Sequence, residues 1–203
     1  MSIDKDWVPG FGEIVTWYAM DKAGALAIMV NNCFGRLPKV LLGVSDLEQK
    51  LDNLSEYIWE ESDKFSGFAQ NKNGRTILDQ YSAYSYRHLT SRAEVESWVA
   101  KRSLPTSRLT EYSLPAIKGF YIYHGVEGSV PGEDYPVGHQ GESGMGDYFR
   151  YLMPSVKGGI HEIPELLRGV ITVCETLEFS ELAFVSGDLV DEYFCKLYDL
   201  PNS

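Results

Sequence analysis

Cys33, with His88, His124, His139 or His161 as a general base, is the most reactive combination the sequence offers, because a thiolate needs a neighbouring base or positive charge to form near neutral pH. Nothing in the spacing singles out one histidine, and Cys33 reads equally as a small apolar residue at a strand end. Gly141-Glu142-Ser143-Gly144-Met145 falls short of the Gly-x-Ser-x-Gly elbow, its second glycine coming one residue early. His124, Glu133, Asp134 and His139 could converge on a cation, yet their spacing matches neither a zinc finger nor a His-Glu-x-x-His helix. Gly144-Met145-Gly146 lacks the strand-turn-helix frame of a phosphate loop. Glu133 and Asp134, adjacent in sequence, point apart rather than pairing as acid and base. The expectation is a protein that is not an enzyme and holds no cofactor or metal.

The elements that would position any site can be read from periodicity. Glu13 to Met20 and Ala25 to Asn31 read as two strands joined by an Asp-Lys-Ala-Gly turn, and Asn31 to Gly35 as a turn out of the second strand, closed by Pro38. Ser45 and Glu48 have capping-box spacing, and Leu47, Leu51, Leu54 and Ile58 then share one helical face. Glu48, Asp52, Glu56 and Glu60 fall on the opposite, solvated stripe. Phe65 to Arg75, punctuated by Asn71, Asn73 and Gly74, is a loop, and Ile77 to Thr90 reads as helix or extended chain. Ser91 and Glu94 cap a second helix through Val95, Trp98 and Val99, with Pro105 at its end.

Lys118 to His124 is a short strand with Phe120 and Ile122 on one face and Tyr121 and Tyr123 on the other. Gly125 to Gly146 follows as a long glycine-rich loop, of a length that is usually functional or mobile. Tyr148 to Met153 is a strand closed by Pro154, and Pro164 opens a helix through Arg168. Val170 to Cys174 and Leu182 to Val185 read as strands, and Asp188 to Tyr198 as a final short helix. The order implies an α+β fold, a mainly antiparallel sheet with packed helices, forming a single domain over residues 1–203 with the loop at 125–147.

The chain has 203 residues and a net charge of −11. Acids crowd Asp46 to Asp63 and Glu162 to Asp199, whereas Lys64 to Lys118 is locally basic. Such a field repels polyanions, so no nucleic-acid partner is expected; an acidic face instead suits docking to a basic protein. The three cysteines are widely spaced and predict reduced thiols, with Cys174 and Cys195 in the core. The first residues show no apolar signal segment, and no stretch reaches the roughly 20 apolar residues of a membrane span, so the expected location is cytoplasmic. The 13 tyrosines and 4 tryptophans exceed what a simple core requires, and Tyr121, Tyr123, Tyr135, Tyr148 and Tyr151 gather around the long loop, as at a protein interface.

Trp17-Tyr18-Ala19-x-Asp21-x-x-Gly24-x-Leu26-Ala27 with its following turn and Pro38, then Gly119-Phe120-Tyr121-x-Tyr123, Tyr148-Phe149-Arg150-Tyr151-x-x-Pro154 and Ile163-Pro164-Glu165-Leu166-Leu167, resemble the pattern of bacterial immunity proteins encoded beside polymorphic or contact-dependent toxins. The blocks cover roughly residues 14–42 and 117–168; Asn31-Asn32-Cys33-Phe34 and the 125–146 insertion depart from the pattern. The resemblance implies a non-enzymatic protein that binds and neutralises a cognate toxin, a basic, nuclease-type effector. Its expected contacts are Asp46, Asp52, Glu56 and Glu60, with Glu127, Glu133, Asp134, Tyr135, Glu142 and Asp147 of the loop. The alternative is a small-molecule or carbohydrate-binding module, or a hydrolase, using the 125–147 loop with His124 or His139 as acid-base. A third reading is a subunit of a larger assembly.

Overall fold

The computed structural model describes residues 3–65, 67–72, 74–102 and 116–199. Asn73 and Pro105, read above as loop punctuation and a helix end, lie outside the described residues. At the centre is a hairpin of β1 (Thr16–Met20) and β2 (Leu26–Val30), paired from Thr16 with Val30 to Met20 with Leu26. Asp21 organises the intervening turn: its Oδ1 accepts from the Ala23 and Ala25 amides at 2.9 and 2.8 Å, and its Oδ2 from the Phe179 amide at 2.8 Å.

Every residue of β2 is buried, so both faces of the sheet are covered there, the pattern of an interior strand rather than a one-sided hairpin. The neighbours of the hairpin are parallel to it. β2 pairs with β5 (Tyr121–Gly125), and β1 with β8 (Ile171–Val173). Beyond β5 runs β7 (Tyr148–Pro154), antiparallel, whose far edge carries β3 (Thr76–Leu78) and β9 (Phe184–Val185). β10 (Lys196–Leu197) closes the other side on β8. The eight-stranded sheet is therefore mixed, which corrects the mainly antiparallel expectation while keeping the α+β class. The parallel pairs join residues about a hundred positions apart or more, beyond the reach of any local pattern.

Helix α1 (Lys39–Leu42) is one turn. Helix α2 (Leu47–Ile58) buries Leu47, Leu51, Leu54, Tyr57 and Ile58, as its periodicity requires. Its start differs from expectation: Asp46 occupies the N-cap in the left-handed region at φ 53° with no side-chain cap, which leaves Ser45 one residue too early to close a box with Glu48. Helix α3 (Arg92–Arg102) is capped more nearly as expected: Ser91 Oγ accepts from the Glu94 amide at 3.3 Å, and the Glu94 carboxylate reaches back to the Thr90 amide at 2.7 Å.

Between β3 and α3 the chain makes β4 (Tyr81–Ser82) and turns, not a helix. β4 pairs with β6 (Pro136–Val137) inside the long loop, which is thereby structured and tied to the body. Helix α4 (Glu165–Arg168) starts after Pro164, and α5 (Val190–Tyr193) ends before β10, so the expected final helix is shorter and the chain re-enters the sheet. Cys174 is buried, but Cys195, expected in the core, is exposed. Among the described residues no helix is long and apolar enough to cross a membrane.

Candidate protein-binding face

The residues before β1 cross the surface beside α2, and a short hydrogen-bond chain fixes their path. The Trp7 amide donates to the Asp4 carbonyl at 3.0 Å, and the Trp7 indole N–H donates to Glu13 Oε2 at 2.9 Å. Between these anchors the Glu13 amide donates to the Gly10 carbonyl at 3.1 Å, with Gly12 at φ +87°, the signature of a type II turn that needs glycine at its third position. Phe11 occupies the second position and is 84% exposed; Val8 and Ile14 are 72% and 66% exposed. Three large apolar side chains thus project from one seven-residue stretch, while Ile3 and Trp7 of the same segment pack on the core.

At its far end the segment is tied by Asn31, which is wholly buried. Asn31 Oδ1 accepts from the Val15 amide at 2.7 Å and from the Cys33 amide at 3.4 Å, and its Nδ2 donates to the Gly35 carbonyl at 3.4 Å. Asn32 Nδ2 donates to the Gly125 carbonyl at 3.0 Å. Asn32 and Cys33 both take positive φ, 44° and 72°, so the turn after β2 is built around asparagine side chains, and Cys33 serves as a backbone position within it.

A groove of about 350 Å³ lies between this segment and α2. Ile3, Trp7, Val15 and Leu51 supply its apolar lining, and Glu13, Glu48 and Asp52 its carboxylates. A second groove of about 360 Å³ flanks the segment on its other side, between Trp7, Val8 and Pro9 and the region of Arg36, Lys39 and Asp191. There the charges are internally matched, Lys39 with Asp191 at 2.9 Å and Arg36 with Asp188 at 3.4 Å. On the α2 side they are not. Among the described residues no ion pair reaches Glu13, Glu48, Asp52 or Glu56. Partial burial, reinforced by repulsion from Glu48 and Glu56, raises the Asp52 pKa above the usual carboxylate value.

Of the expected contact residues, Asp46 and Asp52 are exposed and Glu56 is half-buried on α2. Glu60 leaves the stripe: it lies past the helix end at φ 63° and pairs with the wholly buried Lys118 at 2.8 Å. The loop acids are mostly engaged internally. Asp134 is buried, and its carboxylate accepts from Ser82 Oγ at 2.7 Å, the Tyr84 amide at 3.0 Å and the Glu127 amide at 3.2 Å. Asp147 holds the Gly144 and Gly187 amides, each at 2.7 Å. Glu133 caps the Ser129 amide, a bond that lowers its pKa. Glu127 accepts from Ser85 Oγ at 2.6 Å. Tyr135 and Glu142 are exposed, and neither lines the α2 groove.

The histidines have separate surroundings. His124 is half-buried in β5 with its ring centroid 4.7 Å from that of Tyr151, and desolvation of the imidazole lowers its pKa to about 3; His139 stacks on Phe184 at 4.1 Å; His88 lies against Tyr86. His124, Glu133, Asp134 and His139 do not converge, and among the described residues no group of three or more His, Cys, Asp or Glu could hold a metal ion. The Pro9-Gly10-Phe11-Gly12 turn was missed by periodicity because it belongs to no regular element. Its signal was an aromatic residue set between two glycines after a proline. Compared with protein-family models, curated proteins and solved structures, the chain matches none of them.

Proposed function

We propose that this chain is a cytoplasmic, non-enzymatic immunity-type protein that binds a basic toxin, a nuclease-type effector, and neutralises it through the face formed by the N-terminal segment and α2. The observation that carries the reading is that one segment exposes Val8, Phe11 and Ile14 and, through Ile14 and Glu13, borders a groove whose carboxylates have no ion-pair partner among the described residues. Apolar projections supply the desolvated centre of an interface, and unmatched acids steer a cationic partner and reject acidic ones. Asp52, Glu56 and Asp46 stay in the proposed contact set, joined by Glu48, Phe11 and Ile14; Asp134 leaves it, its carboxylate being occupied within the fold.

Co-expression with the product of the adjacent gene tests the proposal. The expected outcome is a co-purifying complex and protection of the host cell. Phe11→Ser weakens the complex by about tenfold or more through faster dissociation, with the melting temperature unchanged because Phe11 is 84% exposed. Absence of both complex and protection overturns the reading.

A further inference from the structure

We infer that the groove between the N-terminal segment and α2 is a receptor for one arginine side chain of the partner protein, its apolar lining taking the methylene stem and the carboxylates of Glu48 and Asp52 taking the guanidinium. This rests on the partner-binding reading above and names the chemistry that the face recognises.

The argument starts from shape. A groove of about 350 Å³ is large enough for one long side chain and too small for a secondary-structure element. Its composition is split in the way such a side chain is split: Ile3, Trp7, Val15 and Leu51 are apolar, and the carboxylates stand among them. An amphipathic stem with a cationic head satisfies both parts at once. A wholly apolar occupant would desolvate the carboxylates without compensation, and an anion would add repulsion.

Charge narrows the choice further. None of Glu13, Glu48 and Asp52 is served by an ion pair among the described residues, so an entering cation meets acceptors that have no internal cation to displace. Arginine suits this arrangement better than lysine: its planar fork presents five donors to two carboxylates one helical turn apart, and its plane stacks on an indole such as Trp7. The site is also held in shape. Glu13 is fixed by the Trp7 indole, and Val15 by Asn31.

The same Trp7–Glu13 bond supplies a reporter, because a cation entering the groove perturbs the indole N–H that donates to Glu13. The whole chain, labelled with ¹⁵N, is titrated at low salt with acetyl-Gly-Arg-Gly-amide, with its citrulline counterpart and with its lysine counterpart. The Trp7 indole resonance is identified by its loss in Trp7→Phe. The expected result is a saturable shift with the arginine peptide, about tenfold weaker binding for neutral, near-isosteric citrulline, and weaker binding for lysine. Glu48→Gln combined with Asp52→Asn lowers the affinity by about tenfold, and Glu181→Gln, exposed and outside the groove, leaves it unchanged. Should the double variant fail to fold, Glu48→Gln alone, at an exposed position, carries the same expectation.

No saturable shift, equal binding of arginine and citrulline peptides, lysine binding as tightly as arginine, or an unaffected Glu48/Asp52 variant overturns the assignment. The two readings fail separately. A toxin complex that survives while the arginine peptide does not bind removes only the arginine receptor, whereas peptide binding without any toxin complex removes only the toxin-neutralising role.

Discussion

Replacing Asn31 by alanine should loosen the join between the N-terminal segment and the hairpin, where the Asn31 backbone amide still donates to the Val15 carbonyl at 3.1 Å, and cost more than a single side-chain hydrogen bond. Asn31 is wholly buried, and its amide group serves three backbone groups: the Val15 amide at 2.7 Å, and the Cys33 amide and Gly35 carbonyl at 3.4 Å each. The two long bonds contribute little, so the loss is dominated by Val15, whose N–H has Asn31 Oδ1 as its acceptor. A buried donor left unsatisfied costs about 1–3 kcal/mol; the Val15 bond is part-buried, so with the two weaker bonds and the space vacated the expected total is about 1–3 kcal/mol. Asn31→Asp separates geometry from charge: it keeps the acceptor for Val15 but turns a second, charged oxygen toward the Gly35 carbonyl, and should destabilise at least as much as alanine. Urea unfolding followed by tryptophan fluorescence measures the loss, and hydrogen exchange at the Val15 amide shows where it falls. A loss below about 1 kcal/mol with the Val15 amide still protected would refute the assignment of Asn31 as the hub of this turn.

Two further perturbations probe the interior. Lys118 has a wholly buried ammonium 2.8 Å from Glu60, an ion pair rather than a well-aligned hydrogen bond, and Glu60 is half-exposed. Glu60→Gln strands that cation and should cost about 3 kcal/mol, whereas Lys118→Met removes the desolvation problem with the charge and should stay within about 1 kcal/mol of wild type; equal losses in chemical melts would contradict this. His124, whose pKa burial lowers from 6.5 to about 3, is neutral in the folded chain at pH values where the unfolded chain is protonated. The unfolded state therefore binds more protons between those two values, so stability falls as the pH drops through that window, by up to about 1.4 kcal/mol per unit. His124→Phe should flatten that slope in melts at pH 5 and pH 7, and an unchanged slope would assign the acid sensitivity to other groups.

What the sequence disclosed followed the range of the interactions involved. The β1–β2 hairpin, the buried face of α2 and the start of α4 at Pro164 rest on neighbours a few residues apart, and periodicity or a proline marks each of them. The parallel pairs β1–β8 and β2–β5 rest on residues far apart, and their only local trace was the unbroken apolar run of β2, which an exposed-face strand would not need. The expected box at Ser45 and Glu48 failed because Asp46 takes a left-handed conformation and delays the helix by one residue. Asp134 carried a charge that suggested a surface contact. The hydrogen bonds it accepts from Ser82, Tyr84 and Glu127 show that a carboxylate can equally be the keystone of a loop.

The placement of the candidate face follows from the interior itself. With every residue of β2 buried and β5 and β7 buried at most positions, the centre of the sheet is covered on both faces. The available surface is the rim, where ion pairs such as Lys39 with Asp191 and Lys196 with Glu175 engage some of the charges. The segment beside α2 combines two features there. It holds Phe11 outward on a glycine-dependent turn while drawing Trp7 inward, and it borders carboxylates that no cation among the described residues pairs with. Either feature alone is ordinary on a protein surface. An apolar projection costs solubility and an unmatched acid cluster costs repulsion, and one event relieves both: docking of a cationic, partly apolar surface.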